Sequence, residues 1–355
     1  MDKIKIVLAM PSHSNFAAPI QQNLKHHNFD IKFIDSSPEY LKRIKLPLLH
    51  SIYHYFRQFF LSDSTYKAKI KKNLKHQMIS QKIQMDISNT QPGYTLVIRP
   101  DLFSLEHLNA LKTKSNQNFI GYQWNGLARF PDTFLSINKF NRFFIFDNMD
   151  LSNPEYKKYN LIGTTNFYFD MYHPQPVAHQ GTVAYFVGLH FDERSQSLDY
   201  CAKVLTEHGI KLDFNVRALK DVKNAYAQYK NPEIKFIKKN IEFDENLARI
   251  NQADILVDVV NPVHHGLSFR TFEALYYEKK LITNNAVIQY YDFYHPDNIL
   301  IWDGRDLSNI TRFLARPYVQ IDRNIVEKYS FENWIKNMLD IPPYQKIELP
   351  KTDVQ

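Results

Sequence analysis

One cysteine, Cys201, stands among 355 residues. A single thiol excludes an internal disulfide framework and a thiolate zinc cluster within the chain. No apolar run approaches the roughly 20 residues that a membrane helix needs. The first apolar stretch, Ile4 to Met10, is too short for a signal peptide and patterns like a first strand. Internal repeats and low-complexity tracts are absent. So is any Asp-X-Asp run of the kind that brings a divalent ion to a phosphorylated substrate. The adjacent pairs His26-His27 and His264-His265 point apart on a helix or a strand, which argues against zinc. A cytoplasmic protein without metal or bound cofactor is therefore expected. At 44% hydrophobic and 23% charged residues the composition is globular, and the length suits two domains.

Acid is scarce in one stretch. Between Leu41 and Lys82 ten basic residues face a single acid, Asp63. The formal charge is +7 for the chain and +9 for this segment, so the remainder is slightly acidic. Tyr53, Tyr55, Phe56, Phe59, Phe60 and Tyr66 interleave with the cations. The pattern predicts a basic, aromatic helical insertion suited to an anionic lipid surface or an acidic glycan. No nucleic-acid motif accompanies it, and nucleic acid is not expected as a partner.

Along the chain, apolar runs alternate with helical patterns, which predicts an α/β fold with parallel sheets. Ile4 to Met10 reads as a strand, Pro19 to His27 as a helix and Ile31 to Ile34 as a second strand. Tyr94 to Arg99, Phe119 to Tyr122 and Phe143 to Phe146 follow as strands, each running into polar residues at its carboxyl end. Ligands of open α/β sheets bind outside those ends. The two prolines within Phe169 to Pro176 predict a domain junction. In the second half, Val183 to Gly188, Ala253 to Val260 and Lys280 to Asn285 read as strands, and Phe269 to Tyr276 as the helix between the last two.

The turn His264-His265-Gly266-Leu267-Ser268 feeding that helix places free backbone N–H groups and a positive dipole end beside a sheet, where a diphosphate can sit. Arg270 and Glu273, three residues apart, share one helix face. Here the sequence resembles the donor domain of GT-B glycosyltransferases, whose motif runs through an Ala-Asp strand, a first Glu, seven residues and a second Glu followed by Ala. The second Glu matches Glu273-Ala274. The first falls on His265, a departure. Gly266 matches the glycine that follows it. Upstream, Val183 to Gly188 resembles the strand that opens the donor domain. Arg194 falls where many of these enzymes place a phosphate-binding Lys, and the family's preceding Arg falls on Leu189. The run Gln123-Trp124-Asn125-Gly126 to Pro131 is similar to a segment of bacterial polysaccharide and lipopolysaccharide glycosyltransferases, which commonly carry Asp at the place of Asn125.

The resemblance implies two Rossmann-like domains facing across a cleft. Residues 1–172 would bind the acceptor and carry the basic insertion at 41–82. Residues 173–323 would bind a nucleotide-sugar, 324–341 would form a helix crossing back to the first domain, and 342–355 would be a tail. The implied activity is metal-independent transfer of a sugar, UDP-linked by default, to a glycan or lipid-linked glycan in cell-surface polysaccharide synthesis at the inner face of the cytoplasmic membrane. Donor binding would fall to Arg194, His265, Gly266, Leu267, Ser268, Arg270 and Glu273, and the acceptor side to Trp124, Asn125 and Arg129. His13, whose imidazole titrates near neutrality, is the candidate base, with Asp101 as its alternative. Two other readings stay open: transfer of a phosphorylated unit or CMP-linked acid, which His13, His264 and His265 would suit, and a catalytically silent binding subunit.

Overall fold

The computed structural model describes residues 3–12, 15–37, 45, 47–60, 65–87, 92–115, 118–177, 181–260 and 265–351. They form two compact units, one of Met1–Phe144 with Lys157–Ile162 and one of Ile145–Tyr156 with Gly163–Gln355. The expected junction at 169–176 therefore lies inside the second unit. The cause is apolar: Phe167 and Phe169 are buried and pack on Phe269 and Phe331 of that unit.

The first unit is built on β1 (Ile4–Met10), β2 (Phe29–Asp35), β3 (Tyr94–Ile98), β4 (Phe119–Gln123), β5 (Arg142–Ile145) and β6 (Leu161–Gly163), in the order β2-β1-β3-β4-β5-β6. β1 pairs parallel with both β2 and β3, so the strand order reverses between β1 and β3. The strands read as near-continuous apolar runs because parallel strands are covered on both faces. The α-helices of this unit among the described residues are α1 (Ala17–His26), α2 (Leu48–Phe60), α3 (Tyr66–Ile87) and α4 (Leu105–Thr113). Among the described residues the predicted basic insertion is thus a pair of helices. The far end of α3 buries Ile79, Ile83 and Ile87, four residues apart on one face, against Val7, Ile34, Val97 and Leu108.

The second unit begins with α5 (Asn148–Ser152). Its sheet comprises β7 (Val183–Leu189), β8 (Lys211–Arg217), β9 (Ile234–Phe236), β10 (Ile255–Asp258), β11 (Lys280–Thr283) and β12 (Ile299–Ile301), in the order β12-β11-β10-β7-β8-β9. All its pairs are parallel. This is a Rossmann order, and its switch point lies between β7 and β10. The connecting helices are α6 (Asp192–Glu207), α7 (Val222–Ala227), α8 (Phe243–Gln252), α9 (Phe269–Tyr276) and α10 (Ile310–Ala315). The closing helix expected over 324–341 is two helices, α11 (Arg323–Lys328) and α12 (Phe331–Leu339), and both group with the second unit. The break has a local cause. The Ser330 side chain caps Asn333 N–H at 3.1 Å, and Tyr168 exchanges backbone bonds with Tyr329 and Phe331 at 3.1 and 2.9 Å.

No helix among the described residues is long and apolar enough to cross a membrane.

Candidate functional site

At the switch point of the second sheet two arginines converge. Arg270, in the first turn of α9, sends Nη2 to the carbonyl of Val187 at 2.6 Å and Nη1 to the carbonyl of Val257 at 3.1 Å and to Asp258 Oδ1 at 3.3 Å. It thereby ties the carboxyl end of β7 to that of β10. Arg194, near the start of α6, donates to the carbonyls of Leu189 and of Val259, the latter at 3.2 Å. Both guanidinium groups lie over the Phe186 ring, 5.4 and 5.2 Å from its centroid. Burial, and then the neighbouring Arg270 charge, push Arg194 down to about 10, so it stays cationic at neutral pH. Its Nε has no partner among the described residues. Gly188 makes room for it, since a Cβ there would stand 2.6 Å from Arg194 Nη2.

Glu273 follows one turn after Arg270. It is 7% exposed, and its carboxylate makes no hydrogen bond among the described residues. Burial pushes it up to about 7; Arg270 opposes that rise and Asp258 adds to it. A largely buried carboxylate to which the protein offers no donor is costly unless water or another group supplies one.

The turn before α9 is fixed from several sides. Ser268, at the N-cap, gives its hydroxyl to Asp258 Oδ2 at 2.7 Å, so the first turn of α9 has no side-chain cap. Thr271 N–H bonds back to the Ser268 carbonyl at 3.2 Å, and the positive end of the α9 dipole lies beside the carboxyl end of β10. Leu267 is buried, and its carbonyl accepts from Asn166 at 2.9 Å. Gly266 backs onto Phe146: a Cβ would fall 2.5 Å from the Phe146 carbonyl oxygen. The glycine is thus required by a neighbouring segment of the unit. His265 is half exposed; its N–H donates to Asp147 Oδ2 at 3.1 Å, and its Nδ1 lies 3.7 Å from that oxygen. Asn285 holds the carbonyls of His265 and Gly266 at 3.1 and 3.4 Å. His264 lies outside the described residues.

The first unit carries a second cluster, at the carboxyl ends of β3 and β4. Arg99 holds Asp101 with two bonds of 2.8 and 2.6 Å, and Gln123 adds a third at 2.8 Å. Those three bonds fix the orientation of the Asp101 carboxylate at the carboxyl end of β3. With its amide turned to satisfy both, Asn125 Oδ1 accepts from Arg99 Nη1 and Trp124 Nε1, each at 3.2 Å. Trp124 meets Phe16 edge-on at 6.2 Å. Arg129 is exposed and lies over Phe130. At the β1 end, Ser12 donates to both oxygens of Asp35, at 2.9 and 2.5 Å. Burial would raise that carboxyl, but hydrogen bonds from Ser12 and Ser37 outweigh it and hold the group low. His13, the expected base, lies outside the described residues.

Sequence reasoning thus brought Trp124, Asn125 and Asp101 to one place and Arg194, Arg270 and Glu273 to another. It missed Arg99, Asp147, Asp258 and Asn285. All four sit at or within two residues of a strand's carboxyl end, which was the available signal; the bond of Asp147 to His265, across 118 positions, had no local one.

No family model matches the chain, and no curated protein matches it. Solved structures do. A glycosyltransferase from Rickettsia africae is 12% identical, over 96% of this chain and 98% of its own, with a TM-score of 0.52. An alpha-glucosyltransferase in complex with UDP and DNA is 9% identical over 95% of each chain, with a TM-score of 0.53. Trehalose-6-phosphate synthase OtsA is 8% identical over 95% of this chain and 97% of its own, also at 0.53. At such identities the likeness is one of architecture, and with two parallel six-stranded sheets it shows that the chain has the GT-B fold of two Rossmann-like units.

Proposed function

We propose that this protein is a glycosyltransferase that takes a sugar from a nucleoside diphosphate, UDP by default, and passes it to a glycan or lipid-linked glycan of the cell surface. The observation that carries the reading is Glu273: a buried carboxylate without a donor, one turn from Arg270, is what ribose hydroxyls would satisfy. The uncapped start of α9 would receive the diphosphate. Arg194 and Arg270 are already bonded to strand carbonyls, so they act as fixed positive charges and need no reorganisation as the diphosphate departs. With that charge supplied by arginine, transfer needs no divalent ion and should persist in a chelator.

His265 replaces a carboxylate at the donor-sugar position and is backed by Asp147. This pair favours, as a second reading, transfer of a phosphorylated unit, whose anionic oxygens an imidazole could bond. Trp124, Asn125 and Arg129 are assigned to the acceptor, and His13 to its deprotonation. The basic segment would hold the enzyme at the inner face of an anionic membrane, near a lipid-linked acceptor. Donor hydrolysis assayed with UDP-, GDP-, CMP- and dTDP-sugars tests the proposal. Release of UDP that stops in Glu273→Ala supports it; no turnover of any donor, with no nucleotide bound, identifies a silent binding subunit instead.

A further inference from the structure

Helix α2 is inside out. At about 100° per residue, Leu48, Leu49, Ile52, Tyr55, Phe56 and Phe59 fall within an arc of about 120°. All six are exposed, by between 49% and 83%. The polar side is the one that packs: His54 is buried, His50 Nδ1 meets the Tyr66 hydroxyl at 2.8 Å, and the Arg57 guanidinium lies 5.5 Å from the Tyr66 ring centroid. A helix in water does the reverse, and a contiguous exposed apolar stripe marks an interaction surface.

We propose that this face of α2 inserts into the interfacial layer of an anionic lipid bilayer. The inference rests on the membrane reading of the basic segment and adds to it the element that enters the lipid. Charge decides the occupant. Lys45 flanks the stripe, Lys67, Lys69 and Lys72 are exposed on the first turns of α3, and between Leu48 and Lys82 the sequence holds one acid. A second copy of the chain on this face would bring like charges together, whereas anionic headgroups would meet the cations while the acyl boundary takes the apolar stripe. Aromatic residues within the stripe suit that depth. Attraction by the lysines fades with salt, but burial of the stripe does not, so the two contributions are separable.

The full chain is to be sedimented with phosphatidylcholine vesicles with and without phosphatidylglycerol, at low and high salt. The wild type should bind the anionic vesicles and keep a salt-resistant fraction. Ile52→Gln, Phe56→Ser, Phe59→Ser, all at exposed sites, should together lower partitioning about tenfold or more and remove that fraction. Lys67→Glu, Lys69→Glu, Lys72→Glu should instead remove the salt-sensitive part. A Phe59→Trp variant should shift its emission to the blue with vesicles and be quenched by brominated acyl chains. If the apolar variant binds like wild type while the lysine variant does not, insertion is wrong and the electrostatic reading survives. If no form binds vesicles, both are wrong. If the wild type forms dimers without lipid that the apolar variant cannot form, α2 covers a second copy and the proposal is overturned.

Discussion

Glu273 couples proton uptake to folding. Its ordinary value of 4.5 is raised to about 7 by burial, so the folded chain binds a proton that the unfolded chain releases. The stability it contributes is complete below pH 4.5 and is lost as pH rises through about 7. Thermal melts of the free protein should therefore weaken between about pH 5 and 8, by on the order of 2 kcal/mol, and Glu273→Gln should flatten that slope. Equal slopes in the two proteins would mean the carboxyl is not dry. Glu273→Ala should cost about 1.5–3 kcal/mol of nucleotide affinity by titration calorimetry while keeping the fold. Arg270 is bound to structure as well as to chemistry. Arg270→Ala takes the cationic donor from Asp258, which keeps only the Ser268 hydroxyl, and from two strand carbonyls, and should destabilise by about 3–5 kcal/mol in denaturant melts. Arg270→Lys keeps the charge but cannot span both strands, so turnover should fall more than donor affinity does. That Arg270 and Glu273 share a helix face was legible from their spacing. That the guanidinium turns inward to Val187 was not, because periodicity places a residue on a face without saying which distant carbonyl it reaches.

Among the elements, α12 shows how local signals and distant packing divide the work. Ser330 and the apolar spacing of Phe331, Trp334 and Met338 announce a helix. Its partners are remote: Phe167 lies 5.1 and 4.3 Å from the Phe331 and Trp334 ring centroids, and Tyr168 stacks on Tyr276 of α9 at 4.0 Å. Trp334→Ala should cost about 3–5 kcal/mol by chemical denaturation. The loss should also reach the donor site, since the same aromatic cluster includes Phe269 at the start of α9. A variant that loses this stability yet binds nucleotide as before would show that α9 is held without the cluster. The strands were legible as continuous apolar runs. The junction was misplaced because two prolines are visible in a sequence, whereas the burial of Phe167 and Phe169 depends on helices more than 90 residues downstream.

For the whole molecule, a nucleotide that binds only the folded chain raises its melting point, and UDP at about 100 times its dissociation constant would add about 2.7 kcal/mol. A thermal shift with UDP but not with CMP would favour sugar transfer over a CMP-linked donor. The α/β class and the tandem of two sheets followed from alternating patterns; the strand orders did not, because a crossover leaves no trace in composition. One feature of the division is temporal. The second unit takes in Ile145–Tyr156, where Phe146 and Asp147 meet Gly266 and His265 more than 100 residues later. At roughly 5–20 residues per second on a ribosome, those side chains wait on the order of ten seconds for their partners. During that interval Phe146 has no Gly266 to lie against, and the ring cluster of Phe167 with Phe269, Phe331 and Trp334 is complete only once α12 has emerged.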